Sequence, residues 1–227
     1  MRERVHRVES LCVMRAAFAD GDTIFPVGKC QGRLYDCRVG DYMQTLVDVE
    51  IDDRAAVQMK QPLTSWLIGG GIIAPELTDC VLGSEGGYAP GANYGHAIGD
   101  ASAALPPFLT NGVSIDVGRQ VYWNLELEAV DCPRCGYRET LWPRELGRWD
   151  TAFNDAFNEW LDGGGGLVAC GGCGVGIGLN DWDWGSPWAF SALGLTFWNW
   201  NDLSGNFIAE VREFLGGHRL VYCAFKI

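Results

Sequence analysis

The sequence predicts an α+β protein in which a mixed sheet carries two β-α-β units flanking an inserted four-cysteine ribbon. Three observations predict it. Thr45 to Ile51 alternates apolar and polar side chains, a helix-forming span follows, and Cys80-Val-Leu resumes as a strand. Leu193 to Trp200, a helix opened by Ser204, and Arg219 to Phe225 repeat that order at the C-terminal end. Between them stand Cys132-Pro-Arg-Cys135-Gly and Cys170-Gly-Gly-Cys173-Gly, two CxxC turns with 34 residues between them.

Taken in order, residues 1–43 form an N-terminal β-rich extension in which Gly28, Gly32 and Gly40 punctuate short strands such as Thr23-Ile-Phe-Pro-Val. Residues 44–130 form the first α+β unit. Its helix runs from Arg54 to Ile68 behind a cap at Asp52 or Asp53 and buries Val57, Leu63 and Leu67, with Pro62 delaying or kinking it. Gly83 to Pro107, rich in Gly, Ala and Pro, reads as a long loop, and the strands on either side of Gly118-Arg119 read as a hairpin. Residues 131–178 hold the ribbon and an inserted helix capped by Asp150 or Thr151, with Phe153, Phe157, Trp160 and Leu161 as its apolar stripe. Residues 179–227 form the C-terminal β-α-β unit, packing on the same core. Its helix, Ser204 to Leu215, turns Phe207, Ile208, Val211 and Leu215 inward before Gly216-Gly217 stop it.

The cysteines carry the sharpest chemistry. Tetrahedral Zn²⁺ takes four thiolates at about 2.3 Å. A two-residue spacer followed by Gly136 or Gly174, each free to take positive φ, lets a turn aim both its sulfurs at one point. Two such turns fill the coordination sphere and leave no position for water or substrate. The Zn²⁺ predicted on Cys132, Cys135, Cys170 and Cys173 is therefore structural. A redox pair or disulfides are the competing readings, and the redox pair wants a strand–CxxC–helix context that neither turn has.

With 227 residues, 48 % of them apolar and 20 % charged, the chain has material for a sizeable core. No apolar run reaches the ~18 residues of a membrane span. The formal charge is −12, and residues 44–128 alone carry 11 acidic against 3 basic side chains. Such a charge repels a phosphate backbone and argues against nucleic acid, which many ribbons bind. Met1-Arg-Glu-Arg-Val-His lacks the apolar stretch of a secretory signal, and Cys12, Cys30, Cys37, Cys80 and Cys223 are an odd number outside the ribbon. Both features point to a reducing, cytoplasmic compartment and free thiols.

Other candidates cluster after the second CxxC. Asp181 and Asp183, two apart, share a face of an extended segment and suit acid–base work or a hard cation; capping of turns is the plainer role for both. Eight of ten tryptophans lie between Trp142 and Trp200. Trp182, Trp184, Trp188, Trp198 and Trp200 are candidate ligand-binding residues if they line a groove, and core residues otherwise, with Trp198 and Trp200 expected on one face. Arg134, Arg138, Arg144 and Arg148 surround the first CxxC, either supporting its thiolates or forming a binding patch. Of the histidines His6, His96 and His218, His96 in the Gly-rich segment is the catalytic candidate, beside Asp181 and Asp183.

The string Cys-Pro-x-Cys-Gly, Cys-x-x-Cys-Gly, Trp-Asp-Trp, Trp-Ala-Phe and Phe-Trp-Asn-Trp resembles a bacterial zinc-ribbon family to which no activity is attached. The resemblance spans residues 60–227 and includes Gly-His-Arg-Leu-Val near the end. It implies a cytoplasmic bacterial protein with Cys132, Cys135, Cys170 and Cys173 as metal ligands. Together these readings predict a zinc-stabilised binding protein, leaning away from an enzyme. It would recognise a protein or small ligand through an acidic, aromatic-rich surface, without a membrane. A hydrolase-type or other small-molecule enzyme with a carboxylate site near Asp181 and Asp183 is the alternative, and a nucleic-acid-binding ribbon comes third.

Overall fold

Residues 41–83, 86–100, 102–106, 108–123, 128–141 and 152–226 are described by the computed structural model. The expected extension up to residue 40, the cap at Asp150 or Thr151, and Trp142, Trp149, Arg144 and Arg148 lie outside the described residues.

Strand β1 (Tyr42–Asp48) leads through helix α1 (Asp53–Gly69) to β2 (Ile73–Thr78). Asp52 caps α1 by accepting from the Ala55 amide at 2.7 Å. The helix starts at once and runs through Pro62 for 17 residues, so proline neither delays nor ends it. Its buried stripe is Ala56, Leu63 and Leu67, whereas Val57, expected inside, is 65 % exposed. One residue beyond Ala56 is a rotation of about 100°, enough to carry Val57 off the stripe. The segment read as a loop contains β3 (Gly87–Pro90) and a short helix α2 (Gly95–Ile98). Cys80 and Val81, expected in a strand, lie beyond β2 and are buried against Trp198.

Strand β4 (Val113–Trp123) replaces the expected hairpin. Both of its halves pair with β9 (Trp188–Trp198), and the irregularity between Val117 and Gln120 is a bulge within one strand, with Gly118 at φ 114°. The bulge turns Arg119 outward into a junction. Its Nε bonds both Asp53 oxygens at 3.0 Å, its Nη1 bonds the carbonyls of Trp160 and Gly164, and its guanidinium lies 5.0 Å from the Trp160 ring centroid. Arg119→Met keeps the aliphatic stem but takes the charged donor from the Gly164 carbonyl and from Asp53, while the Trp160 carbonyl keeps the Gly163 amide. Expected is a loss of about 1–2 kcal/mol in urea unfolding; a loss within ~0.5 kcal/mol means that this junction is dispensable.

After β9, Ser204 caps helix α4 (Gly205–Phe214), accepting from the Phe207 amide at 3.2 Å, and β10 (Leu220–Lys226) closes the fold. The sheet order is β10-β1-β9-β4-β3-β2, and every neighbouring pair is antiparallel. The sheet is thus antiparallel, not mixed. β9 and β10 run the same way but are separated by β1, and β1 and β2 run the same way with three strands between them. Each helical crossover leaves room for antiparallel strands, so no parallel neighbours form. Segments 44–130 and 179–227 interleave in this one sheet.

One sheet face meets the helices in a core that includes Leu46, Leu63, Leu67, Ile115, Leu195, Phe197, Phe207 and Val211. Each such side chain contributes about 1.5–3 kcal/mol on burial. All 11 residues of β9 are buried, the pattern of a strand covered on both faces. Asn199 ends β9 at φ 55°, a left-handed conformation that asparagine tolerates. That turn breaks the alternation expected to hold Trp198 and Trp200 together. Trp200 packs with the helices, and Trp198 goes to the opposite side with Cys80 and Val81.

Candidate metal centre

Two small hairpins stand apart from the main sheet: β5 (Ala129–Asp131) with β6 (Arg138–Thr140), and β7 (Leu167–Ala169) with β8 (Gly176–Gly178). Each carries one CxxC at its tip, and the two tips repeat one hydrogen-bond pattern. The Cys132 amide donates to the Tyr137 carbonyl at 2.9 Å, the Gly136 amide to the Cys132 carbonyl at 2.9 Å, and the Arg134 amide to Cys132 Sγ at 3.4 Å. In the second tip, the Cys170 amide donates to Val175 at 2.9 Å, the Gly174 amide to Cys170 at 2.9 Å, and the Gly172 amide to Cys170 Sγ at 3.3 Å. Gly136 and Gly174 have φ 69° and 71°, the left-handed region where a side chain is strained.

The four Sγ atoms lie within 4.8 Å of one another, and Cys135 Sγ stands 3.7 Å from Cys170 Sγ. A tetrahedron with ~2.3 Å metal–sulfur bonds has edges of ~3.8 Å. This separation fits a metal and is too long for a disulfide; all four cysteines are free. Burial opposes ionisation of Cys132, but the amides of Arg134 and Cys135 and the neighbouring thiols outweigh it and lower that thiol to about 7. At Cys135 the Tyr137 amide favours the thiolate, yet burial and the three neighbouring sulfurs prevail and raise it to about 12. Four clustered sulfurs cannot all shed protons without a cation to replace them.

The hairpins touch through features that the sequence pattern does not announce. Glu139 is buried on β6 and accepts the Gly171 amide at 2.5 Å, bridging the two tips. A Cβ on Gly172 would lie 2.6 Å from Tyr137 Cβ, so the Gly-Gly between Cys170 and Cys173 is set by the approach of the first hairpin. Arg134 and Arg138 are exposed, and Arg138 pairs with Asp131 at 3.0 Å.

Below the tips, helix α3 (Asn154–Leu161) and the hairpin feet build a second core. It contains Val130, Phe153, Phe157, Val168, Ile177, Trp182, Trp184, Trp188 and Phe190. Trp184 and Trp188 stack at 5.2 Å, Phe157 meets Phe190 edge-on at 4.7 Å, and Trp184 Nε1 donates to the Leu179 carbonyl at 2.8 Å. The five tryptophans proposed to line a groove are all buried: Trp182, Trp184 and Trp188 in this core, Trp200 against the helices of the main sheet, and Trp198 on that sheet's other face, where it borders a cleft. The fold needs them inside, because short hairpins offer few side chains and large rings fill the gap.

Asp181 and Asp183 do not converge. Asp181 ends a 3₁₀ turn and faces Arg219 at 3.6 Å, while Asp183 bridges to Asp131 through the backbone and accepts the Gly185 amide at 3.0 Å. Turn capping and surface pairing account for both. His96 stands on α2, where its Nε2 meets Glu210 of α4 at 2.8 Å beside a cleft of about 340 Å³. Among the described residues, no Ser, Thr or Cys lines that cleft. No helix among the described residues is long and apolar enough to cross a membrane. Comparison of the chain with protein-family models, with curated proteins and with solved structures returns no match.

Proposed function

We propose that the four thiolates hold a structural Zn²⁺ as a ribbon-type staple, and that the chain works as a binding protein for a protein or small ligand. The observation that carries this reading is the closed set of four sulfurs at two congruent hairpin tips. Zinc bound there would tie two short hairpins together and present no open position for catalysis. Acidic charge, −12 overall, favours basic partners and disfavours phosphate backbones. The bacterial, cytoplasmic zinc-ribbon family suggested by the sequence string fits this reading and adds no activity to it. A carboxylate enzyme is less well supported, since Asp181, Asp183 and His96 each have a separate partner.

Elemental analysis of protein purified without chelator tests the staple. About one equivalent of zinc per chain is expected, and Co²⁺ in its place should give the absorption of a tetrahedral tetrathiolate. A value well below one equivalent removes the proposal. Zinc affinity should also fall as pH drops below neutrality. In the metal-free site the Cys135 thiol sits at about 12 and keeps its proton at neutral pH. The metal must displace such protons, and each one displaced costs about tenfold in affinity per pH unit lost.

A further inference from the structure

The sheet face turned away from the helices carries a chemistry that the metal centre does not use. Register aligns Ser114 of β4, Thr196 of β9, Thr45 of β1 and Cys223 of β10 in one row across four strands. The row beside it begins with Asp116 and Gly194, and the row on the other side holds Trp198, Met43 and Phe225. These rows floor a cleft of about 280 Å³, walled by Leu82, Tyr122 and Trp123.

Its polar groups form a directed chain. Thr196 Oγ1 donates to Asp116 Oδ2 at 2.9 Å, so its contact with Thr45 Oγ1 at 3.0 Å runs from Thr45 to Thr196. Ser114 Oγ also reaches Asp116 Oδ2, at 3.4 Å. Among the described residues, Asp116 Oδ1 has no partner, and Lys60 acts on the carboxylate without an ion pair. Burial pushes the Asp116 carboxyl up despite the hydroxyls.

Two buried groups are unsatisfied there. Tyr122 and Trp198 are each 7 % exposed, and neither Tyr122 Oη nor Trp198 Nε1 has a hydrogen-bond partner among the described residues. The Tyr122 hydroxyl lies over Gly194, where a Cβ would come within 2.5 Å of it; a glycine on β9 lets the phenol reach toward the Asp116 row. A buried polar group left unpaired costs about 1–3 kcal/mol, so two in one cleft, beside a carboxylate oxygen that no protein group engages, point to a missing occupant. One carboxylate with hydroxyls is too few ligands for a divalent cation. An ammonium suits it: it donates to Oδ1 and Tyr122 Oη, makes the ion pair that Lys60 does not, and favours aromatic walls. The indole N–H then asks for an acceptor on the ligand's apolar body.

We propose that this cleft binds a small primary amine with an aromatic body and a distal acceptor, its ammonium on Asp116 and its body along Trp198, Trp123 and Phe225. This deepens the binding-protein reading and rests on it. The test titrates the full-length, zinc-loaded chain calorimetrically with tyramine and with its neutral isostere, 4-(2-hydroxyethyl)phenol. Tyramine is expected to bind at least about tenfold tighter. Asp116→Asn should abolish that preference, and Trp198→Phe, which removes the N–H together with one ring of the indole, should weaken both ligands alike. Equal affinity for the two probes overturns the proposal, as does binding of neither at millimolar concentration. Photo-crosslinking from a benzophenone side chain at position 225 that lands on residues 1–40 of the same chain assigns the cleft to that segment and also overturns it. Zinc content measured in every sample separates these failures from failure of the staple.

Discussion

Cys135→Ser is expected to release the metal and lower the melting midpoint by about 10 °C or more, the consequence of losing roughly 4 kcal/mol in a chain of this size. The position makes the test discriminating. Cys135 is exposed, so exchange of sulfur for oxygen removes no core packing. Cost there arises only if the sulfur holds something that both hairpins need. Amide exchange should rise first in residues 128–141 and 166–184, where the short hairpins have the buried Val130, Val168 and Ile177 but no long strand pairing of their own. The six-stranded sheet has its own core and should retain protection. Cys173→Ser, equally exposed, should reproduce the effect, and the double variant should add little, because removal of either ligand already empties one site. An unchanged midpoint with undiminished metal content would eliminate the staple.

Local signals were legible in the sequence. Asp52 and Ser204 cap helices where their position before an apolar stripe says they should, and CxxC-Gly at two places predicts two tight turns with left-handed glycines. Features that depend on pairing were not legible. Gly118-Arg119 has the composition of a hairpin turn, and only a long partner strand on β9 makes it a bulge. The Trp198 and Trp200 pattern fails because one left-handed residue, Asn199, intervenes, and alternation assumes an uninterrupted strand. Asp116 and Thr196 are 80 residues apart, and each alone reads as an ordinary polar strand residue. They lie in neighbouring rows, and the contact exists only after β4 and β9 are set in register. Glu139 is hidden for a similar reason, since its partner amide belongs to the other hairpin.

Asn199 concentrates the second large effect. It is buried, and its backbone amide donates to the Tyr42 carbonyl at 2.7 Å while its Oδ1 accepts the Tyr42 amide at 2.8 Å. Its Nδ2 donates to the Thr110 carbonyl at 2.6 Å and to Asp41 Oδ1 at 2.6 Å. One amide side chain therefore ties the start of β1 to the end of β9 and to the approach to β4. Asn199→Ala keeps the backbone bond but orphans the Tyr42 amide and the Thr110 carbonyl, removes one of two donors to Asp41, and forces an alanine into φ 55°. Loss of about 3–5 kcal/mol is expected, from two unsatisfied groups plus roughly 1 kcal/mol of backbone strain. Asn199→Gly separates the two causes: it accepts the left-handed backbone but lacks the amide, so it should recover only the strain, about 1 kcal/mol. Urea unfolding of the three proteins reads the difference. If glycine restores full stability, the hydrogen bonds contribute nothing and the turn alone matters. If alanine and glycine are equally poor, conformational strain is absent and the side-chain amide accounts for the whole effect.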